Sequence, residues 1–260
     1  MNSIFSFQRF GNLMKKQFAE YYKAYLMGAG VLAGVLVLTC ILIINATKNP
    51  LTIDEQGIMF SVFLMFAGAV FTSASFADAG QKKQAIYLLT LPATQFEKYL
   101  VRWVISYLLF FVVYVVLFYI VVLPFASLYH DEGKGDILVM SISTDSTIGV
   151  TLVYYSLVHS LLFFGAILFQ KLHFIKTAFA TFGILVLLNI INSVMIKQML
   201  HQGKVKIMAN PFSTLHIVEN ERVNSLNPGP SGEMMVNIMW VSITLVLWTA
   251  AYYRLKEKQV

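Results

Sequence analysis

The sequence contains little charge. Only 12% of its 260 residues are Asp, Glu, Lys or Arg, whereas 58% are hydrophobic. Soluble globular domains carry about 25% charged and about 45–50% apolar residues. This chain therefore lacks the polar residues that would cover a water-soluble core, and its apolar residues are collected into long runs.

Cysteines and the motifs of common catalytic sites are scarce or absent. The single cysteine, Cys40, excludes an intramolecular disulfide and a cysteine-cluster metal site. Gly133-Lys134-Gly135 lacks the spacing of a GxxxxGK[ST] phosphate-binding loop, and no HExxH sequence occurs. We therefore expect no cofactor in this chain and no ATP hydrolysis through such a loop.

Six runs of about 20 uncharged, mostly apolar residues are long enough to cross a bilayer as helices. Helices are expected because lipid cannot hydrogen-bond an open backbone. The predicted fold is all-α, a polytopic membrane protein with one transmembrane domain over 1–260. The predicted segments are an interfacial helix at 1–24, membrane helices at 25–45, 57–77, 95–127, 146–169, 177–196 and 234–253, a cytoplasmic loop at 78–94 and an external segment at 197–233. Within the external segment, 214–223 is compatible with a short helix.

The basic residues predict which side of the membrane each end occupies. Six crossings put four segments on one side, namely 1–24, 78–102, 170–176 and 254–260. These segments hold 13 of the 19 basic residues but only four of the 13 acidic residues. Because basic residues in short loops stay cytoplasmic, both termini are predicted to be cytoplasmic. The net charge of +6 therefore requires no nucleic-acid partner.

The first residues have an amphipathic pattern. Aromatic and apolar side chains recur at spacings of three and four, while most of the basic residues fall elsewhere. The apolar positions are Phe7, Phe10, Met14, Phe18, Tyr21 and Tyr25. This pattern predicts a helix that lies on membrane lipid, with a cytosolic extension of the first membrane helix as the alternative.

The six apolar runs, of which the third is 103–127, contain no Asp, Glu, Lys or Arg. This absence argues against ion-coupled transport and ion channels, which use intramembrane charges or broken helices. Gly30 and Gly34 form a GxxxG sequence that lets two helices approach closely. Asn189 and Asn192 share a helix face and are expected either to bond across helices or to line a substrate path.

One histidine, His159, lies in the fourth apolar run near Ser156 and Ser160. An ionisable residue inside a membrane is a functional hypothesis by default. No acid lies near these residues in the sequence. The pattern therefore favours a packed, neutral, hydrogen-bonded histidine, with an intramembrane enzyme as an open alternative.

The stretch LLTLPATQFEKYLVRW (88–103) interrupts the apolar runs with a proline and a helix start. Pro92 cannot continue a helix, and Thr94 and Glu97 have the T-x-x-E spacing of a capping box. A new helix is therefore predicted to begin at Gln95 and to run into the membrane. The apolar residues upstream need a cover, either the N-terminal helix or a partner protein; they are Ile86, Tyr87, Leu88 and Leu89.

This combination resembles the permease subunit of type-2 ABC transporters, which are bacterial exporters of drugs, peptides, polysaccharides and lipids. The family pattern is a charged segment with a glycine, then LL-x-x-P-[small]-[Ser/Thr], then the third membrane helix. The matching residues here are Gly80, Lys82, Lys83, Leu88, Leu89, Pro92, Ala93 and Thr94. Many members carry an Arg/Glu-rich run before the glycine, where this chain has only Asp78.

The resemblance implies an exporter permease in the bacterial inner membrane, with ATP and Mg bound by a separate ATPase subunit. It implies that the cytoplasmic loop is a coupling helix seated on that subunit, and that the capped start of the third membrane helix receives its motion. The implied coupling residues are Gly80, Lys82, Lys83, Tyr87, Leu88, Leu89, Pro92, Thr94 and Glu97.

The resemblance also implies a second permease chain, identical or homologous, which completes a central path. Gly30, Gly34, Asn189 and Asn192 are the candidates for this interface or path. Neither the substrate nor the direction of transport follows from the residues. The other open alternatives are a non-transporting scaffold or sensor that binds an ATPase or another partner, and a secondary transporter.

Overall fold

The fold consists of six long helices and a small sheet. The computed structural model describes residues 5–74, 93–128, 139–141, 146–169, 173–200, 206–209, 215–219, 222–226 and 229–257. Six helices within them are long and apolar enough to cross a membrane, which confirms the predicted number of spans. They are α1 (Phe7–Thr47), α2 (Ile53–Ala74), α3 (Gln95–Trp103, the π-helical segment Val104–Leu109, and Phe110–Leu128), α4 (Ser146–Leu168), α5 (His173–Leu200) and α6 (Gly229–Glu257).

The first helix runs without interruption from Phe7 to Thr47. Its 41 residues correspond to about 60 Å, twice the hydrocarbon thickness of a bilayer. No proline occurs between these residues, and the glycines within them are tolerated in a helix. The predicted boundary at residue 24 is therefore not a break in the structure. The separate surface helix is not confirmed, and the alternative of an extended first membrane helix describes α1 better.

The segment between α5 and α6 contains strands. Three short strands, β1 (Lys206–Ala209), β2 (Leu215–Glu219) and β3 (Arg222–Leu226), form an antiparallel sheet in the order β1-β2-β3. Leu215 pairs with Leu226 across β2 and β3, and Ala209 pairs with Leu215 across β1 and β2. A short helix at 214–223, with which the sequence is compatible, is therefore wrong, and the all-α prediction omitted this sheet.

The helices α3 and α4 lie at the centre of the packing. A cluster of buried side chains joins α1, α2, α3 and α4, and its largest members are Phe60, Tyr114, Phe118 and Tyr155. Tyr114 donates a hydrogen bond to the Phe60 carbonyl at 2.7 Å, so the cluster is also tied by polar contacts. A second cluster joins the first turns of α3 to the last turns of α4 and α6.

Three helix ends meet at one end of this bundle. Phe96, in the first turn of α3, contacts Phe5 before α1 and Tyr252 near the end of α6. The Tyr99 hydroxyl donates to the Trp248 carbonyl at 2.9 Å. The start of α1, the start of α3 and the end of α6 therefore lie together, as six crossings with both termini on one side require.

Candidate functional site

The capped start of α3 is present as predicted. The Glu97 backbone N–H donates to the Thr94 hydroxyl oxygen at 3.2 Å, and the Thr94 N–H donates to Glu97 Oε2 at 2.8 Å. Thr94 has an extended backbone with φ −68°. Ser6, which holds the corresponding position before α1, is also extended, with φ −129°. This reciprocal arrangement is a capping box, which satisfies two backbone donors at the helix start.

The same carboxylate also binds the start of α1. Glu97 Oε1 accepts from the Ser6 backbone N–H at 2.8 Å and from Arg9 Nη2 at 3.0 Å and Nε at 3.2 Å. Ser6 precedes the first turn of α1, and its own side chain makes no capping hydrogen bond. One carboxylate thus satisfies backbone donors at the starts of two helices, where the helix dipoles favour negative charge.

Burial makes this contact strong and specific. The Glu97 side chain is 0% exposed, whereas Arg9 keeps 33% of its side chain exposed. A buried carboxylate requires a charged partner and hydrogen bonds at both oxygens, and Glu97 has both. Two further basic side chains, Lys98 and Arg102, are also buried on α3. The first turns of α1 and α3 are therefore fixed to each other by charge as well as by packing.

A second polar cluster lies inside the bundle and is centred on His159 of α4. Its Nε2 lies 2.9 Å from the Ser106 hydroxyl of α3, and the Trp248 indole N–H of α6 donates to its Nδ1 at 3.2 Å. His159 is only 1% exposed, and Ser106 is fully buried. The prediction of a packed, hydrogen-bonded histidine is therefore confirmed.

The hydrogen bonds also define the protonation of His159. An indole nitrogen can only donate, so Nδ1 must be an unprotonated acceptor and the ring proton of the neutral form lies on Nε2. A general base for Ser106 would need an unprotonated Nε2 facing the hydroxyl. Although Ser106 and His159 are within hydrogen-bond distance, this arrangement cannot activate the serine. The geometry thus argues against Ser106 and His159 as a nucleophile and its general base.

The remaining predicted site residues lie apart from these two clusters. Gly30 and Gly34 are exposed on α1, and a Cβ built on either would meet nothing within 4 Å. The Asn189 amide donates to the Leu185 carbonyl of its own helix at 2.9 Å, so this bond does not join two helices. Asn192, on the same helix, is half-buried.

Most of the predicted coupling residues lie outside the described residues. These are Gly80, Lys82, Lys83, Tyr87, Leu88, Leu89 and Pro92. Of the predicted coupling set, Thr94 and Glu97 are described, and both belong to the capped start of α3. Among the described residues, no group of three or more His, Cys, Asp or Glu side chains is arranged to hold a metal ion.

Sequence reasoning found the cap but missed its contact with α1. Arg9 and Glu97 are 88 residues apart, and no spacing rule links them. The only sequence feature that relates them is opposite charge at two helix starts.

No family model, curated protein or solved structure matches the chain.

Proposed function

We propose that this chain is the membrane-spanning permease subunit of an ATP-driven exporter in the bacterial inner membrane, with both termini cytoplasmic. A separate ATPase subunit binds ATP and Mg and docks on the loop before α3. Two permease chains, identical or homologous, form the translocation path. The sequence pattern from Gly80 to Thr94 and the six apolar helices support this proposal.

The observation that carries the proposal is the attachment of Glu97 to two helices. Any displacement of the loop before Thr94 reaches α3 at a fully capped end, where the first turn is held rather than frayed. The Arg9 and Ser6 contacts extend the same displacement to α1. A partner that moves this loop would therefore move two membrane helices together, which suits a permease driven from outside the membrane.

A pull-down from the native membrane tests the proposal. The tagged chain is extracted in mild detergent, and the proteins that accompany it are identified by mass spectrometry. The variant Leu88→Asp/Leu89→Asp removes two apolar side chains of the predicted docking loop. We expect an ATPase subunit to accompany the wild-type chain and to be lost from this variant.

A matched control adds the same charges to the same loop. Gln81→Asp/Gln84→Asp leaves Leu88 and Leu89 in place, so it should retain the ATPase subunit. Absence of any ATPase from the wild-type sample, with the helical fold intact by circular dichroism, would contradict the permease proposal and favour a non-transporting scaffold. Loss of the ATPase from both variants would indicate that its binding depends on the charge of the loop and not on the two leucines.

A further inference from the structure

The middle of α3 contains a π-helical segment, Val104–Leu109, with regular α-helix on both sides. In an α-helix the Phe110 N–H would donate to the Ser106 carbonyl; here it donates to the Ile105 and Tyr107 carbonyls. Such segments hold one more residue per turn than the surrounding helix, and they occur often at functional sites. No proline, glycine or charge lies within VISYLL, so the cause is in the tertiary contacts.

Three side chains of α4 form hydrogen bonds with this segment, namely Tyr155, Ser156 and His159. The Tyr155 hydroxyl lies 3.5 Å from the Ser106 carbonyl, which has lost the Phe110 N–H as its α-helical donor, and 3.3 Å from the Tyr107 carbonyl. The Ser156 hydroxyl lies 2.6 Å from the Tyr107 hydroxyl. Together with the bond between His159 and Ser106, these contacts fix the segment from one side.

Each half of α3 has buried contacts of its own, although α1 and α4 contact both halves. The half before the π-helical segment packs on α1 and α6 through Glu97 and Tyr99. The half after it packs in the main core through Phe110, Tyr114 and Phe118. The segment is therefore the junction between two separately anchored pieces of one helix.

We propose that the π-helical segment is a register switch, and that Tyr155 holds it in the observed register. Converting it to α-helix advances the register by one residue. The half before it then rotates by about 100° and shifts by about 1.5 Å relative to the half after it. The register change itself requires no partner protein. Its use in transport rests on the proposed permease function.

Spin-label distances measure the register directly. Cys40→Ala removes the single cysteine, and labels are attached at Phe96→Cys on the first half of α3 and at Tyr253→Cys on α6; both sites are exposed. With a helix radius of about 5–6 Å, a 100° rotation moves the label on α3 by about 8 Å. The full-length labelled chain is studied in lipid nanodiscs, with no ATPase present.

The decisive variant is Tyr155→Phe, and its matched control is Tyr114→Phe. Both remove a buried tyrosine hydroxyl that donates to a backbone carbonyl, but only Tyr155 bonds the π-helical segment. We expect Tyr155→Phe to add a second distance population several ångströms from the first, and Tyr114→Phe to keep the distribution of the parent chain.

Unchanged distances in Tyr155→Phe would overturn the switch and indicate that the segment only accommodates a fixed mismatch between two packed halves. A second population in both variants would also overturn it, because the effect would then follow from any lost core hydroxyl. Should Tyr155→Phe fail to fold, Ser156→Ala removes the partner of the Tyr107 hydroxyl and provides the same test. None of these outcomes depends on an ATPase, so the result is separate from that of the pull-down.

Discussion

At the scale of single residues, the part of the chain that the structure describes contains two Arg–Glu pairs with similar geometry in different surroundings. Arg9 and Glu97 are 3.0 Å apart, and Arg254 and Glu257 are 2.8 Å apart. Glu97 is fully buried, whereas the Arg254 and Glu257 side chains are 46% and 64% exposed. The first carboxylate joins two helices, and the second lies within one helical turn. Burial rather than distance should therefore decide what each pair contributes.

We expect Glu97→Gln to lower the free energy of unfolding by about 1–2 kcal/mol, because one backbone donor loses its acceptor and the partly exposed Arg9 guanidinium loses its carboxylate partner. Glu257→Gln, the matched control, should change it by about 0.5 kcal/mol or less, because exposed pairs contribute little. Denaturant unfolding in detergent, followed by tryptophan fluorescence, measures both. Equal changes in the free energy of unfolding for the two variants would show that Glu97 does not stabilise the contact between α1 and α3.

The sequence predicted one half of the Glu97 site. The capping box follows from a local spacing, T-x-x-E after a proline, and local rules are readable from sequence. The contact with Arg9 depends on where α1 packs, which no local rule gives. The bonds of His159 to Ser106 and Trp248 likewise required three helices to be assembled first.

At the scale of elements, the contact between α4 and α5 depends on one glycine. A Cβ built on Gly165 would lie inside the side chain of Thr177, so α4 and α5 approach each other closely there. Thr177 is also the one buried side chain among those of α5 that the structure describes. Small residues permit such approaches between helices in lipid.

We expect Gly165→Ala to destabilise the protein by about 1–3 kcal/mol, since the added methyl group overlaps a packed side chain. Gly149→Ala on the same helix is the control: nothing lies within 4 Å of its Cβ, so better helix propensity should leave stability unchanged or raise it slightly. The thermal midpoint of each variant in detergent is the measurement. A midpoint for Gly165→Ala at or above that of the parent chain would refute the close contact.

The hairpin formed by β2 and β3 and the π-helical segment were harder to predict from the sequence than the apolar helices. The strands β2 and β3 are five residues each and separated by two residues, which is the spacing of a tight hairpin, but helix-compatible residues obscured it. The π-helical segment has no sequence feature of its own, because its hydrogen bonds are redirected by α4. Length and composition, by contrast, were enough to predict six apolar helices.

At the scale of the whole molecule, several of the described helices, including α1 and α5, have large apolar surfaces that this chain does not cover. On α5 the side chains of Phe179 and Phe182 are 79% and 64% exposed, and on α1 Leu26 and Met27 are 69% and 70% exposed. Lipid covers such surfaces in part. The proposed permease also needs a second chain, and Gly30 and Gly34 lie open on α1.

We expect Gly34→Leu to weaken self-association at least tenfold while leaving the unfolding of the single chain unchanged, because Gly34 is exposed and a Cβ at this position meets nothing within 4 Å. Gly149→Leu, equally open but on α4, should leave association unchanged. Energy transfer between donor-labelled and acceptor-labelled chains, titrated over the ratio of protein to lipid, measures the association. Identical curves for the parent and Gly34→Leu would remove α1 from the proposed interface.

The link between Glu97 and α1 also has a consequence for biogenesis. Arg9 is synthesised 88 residues before its carboxylate partner. At about 5–20 residues per second, this interval is roughly 4–18 s. The first helix is therefore synthesised without the contact that later fixes its start. It is thus made early but anchored late, and its final position is reached only once the third span has begun to form.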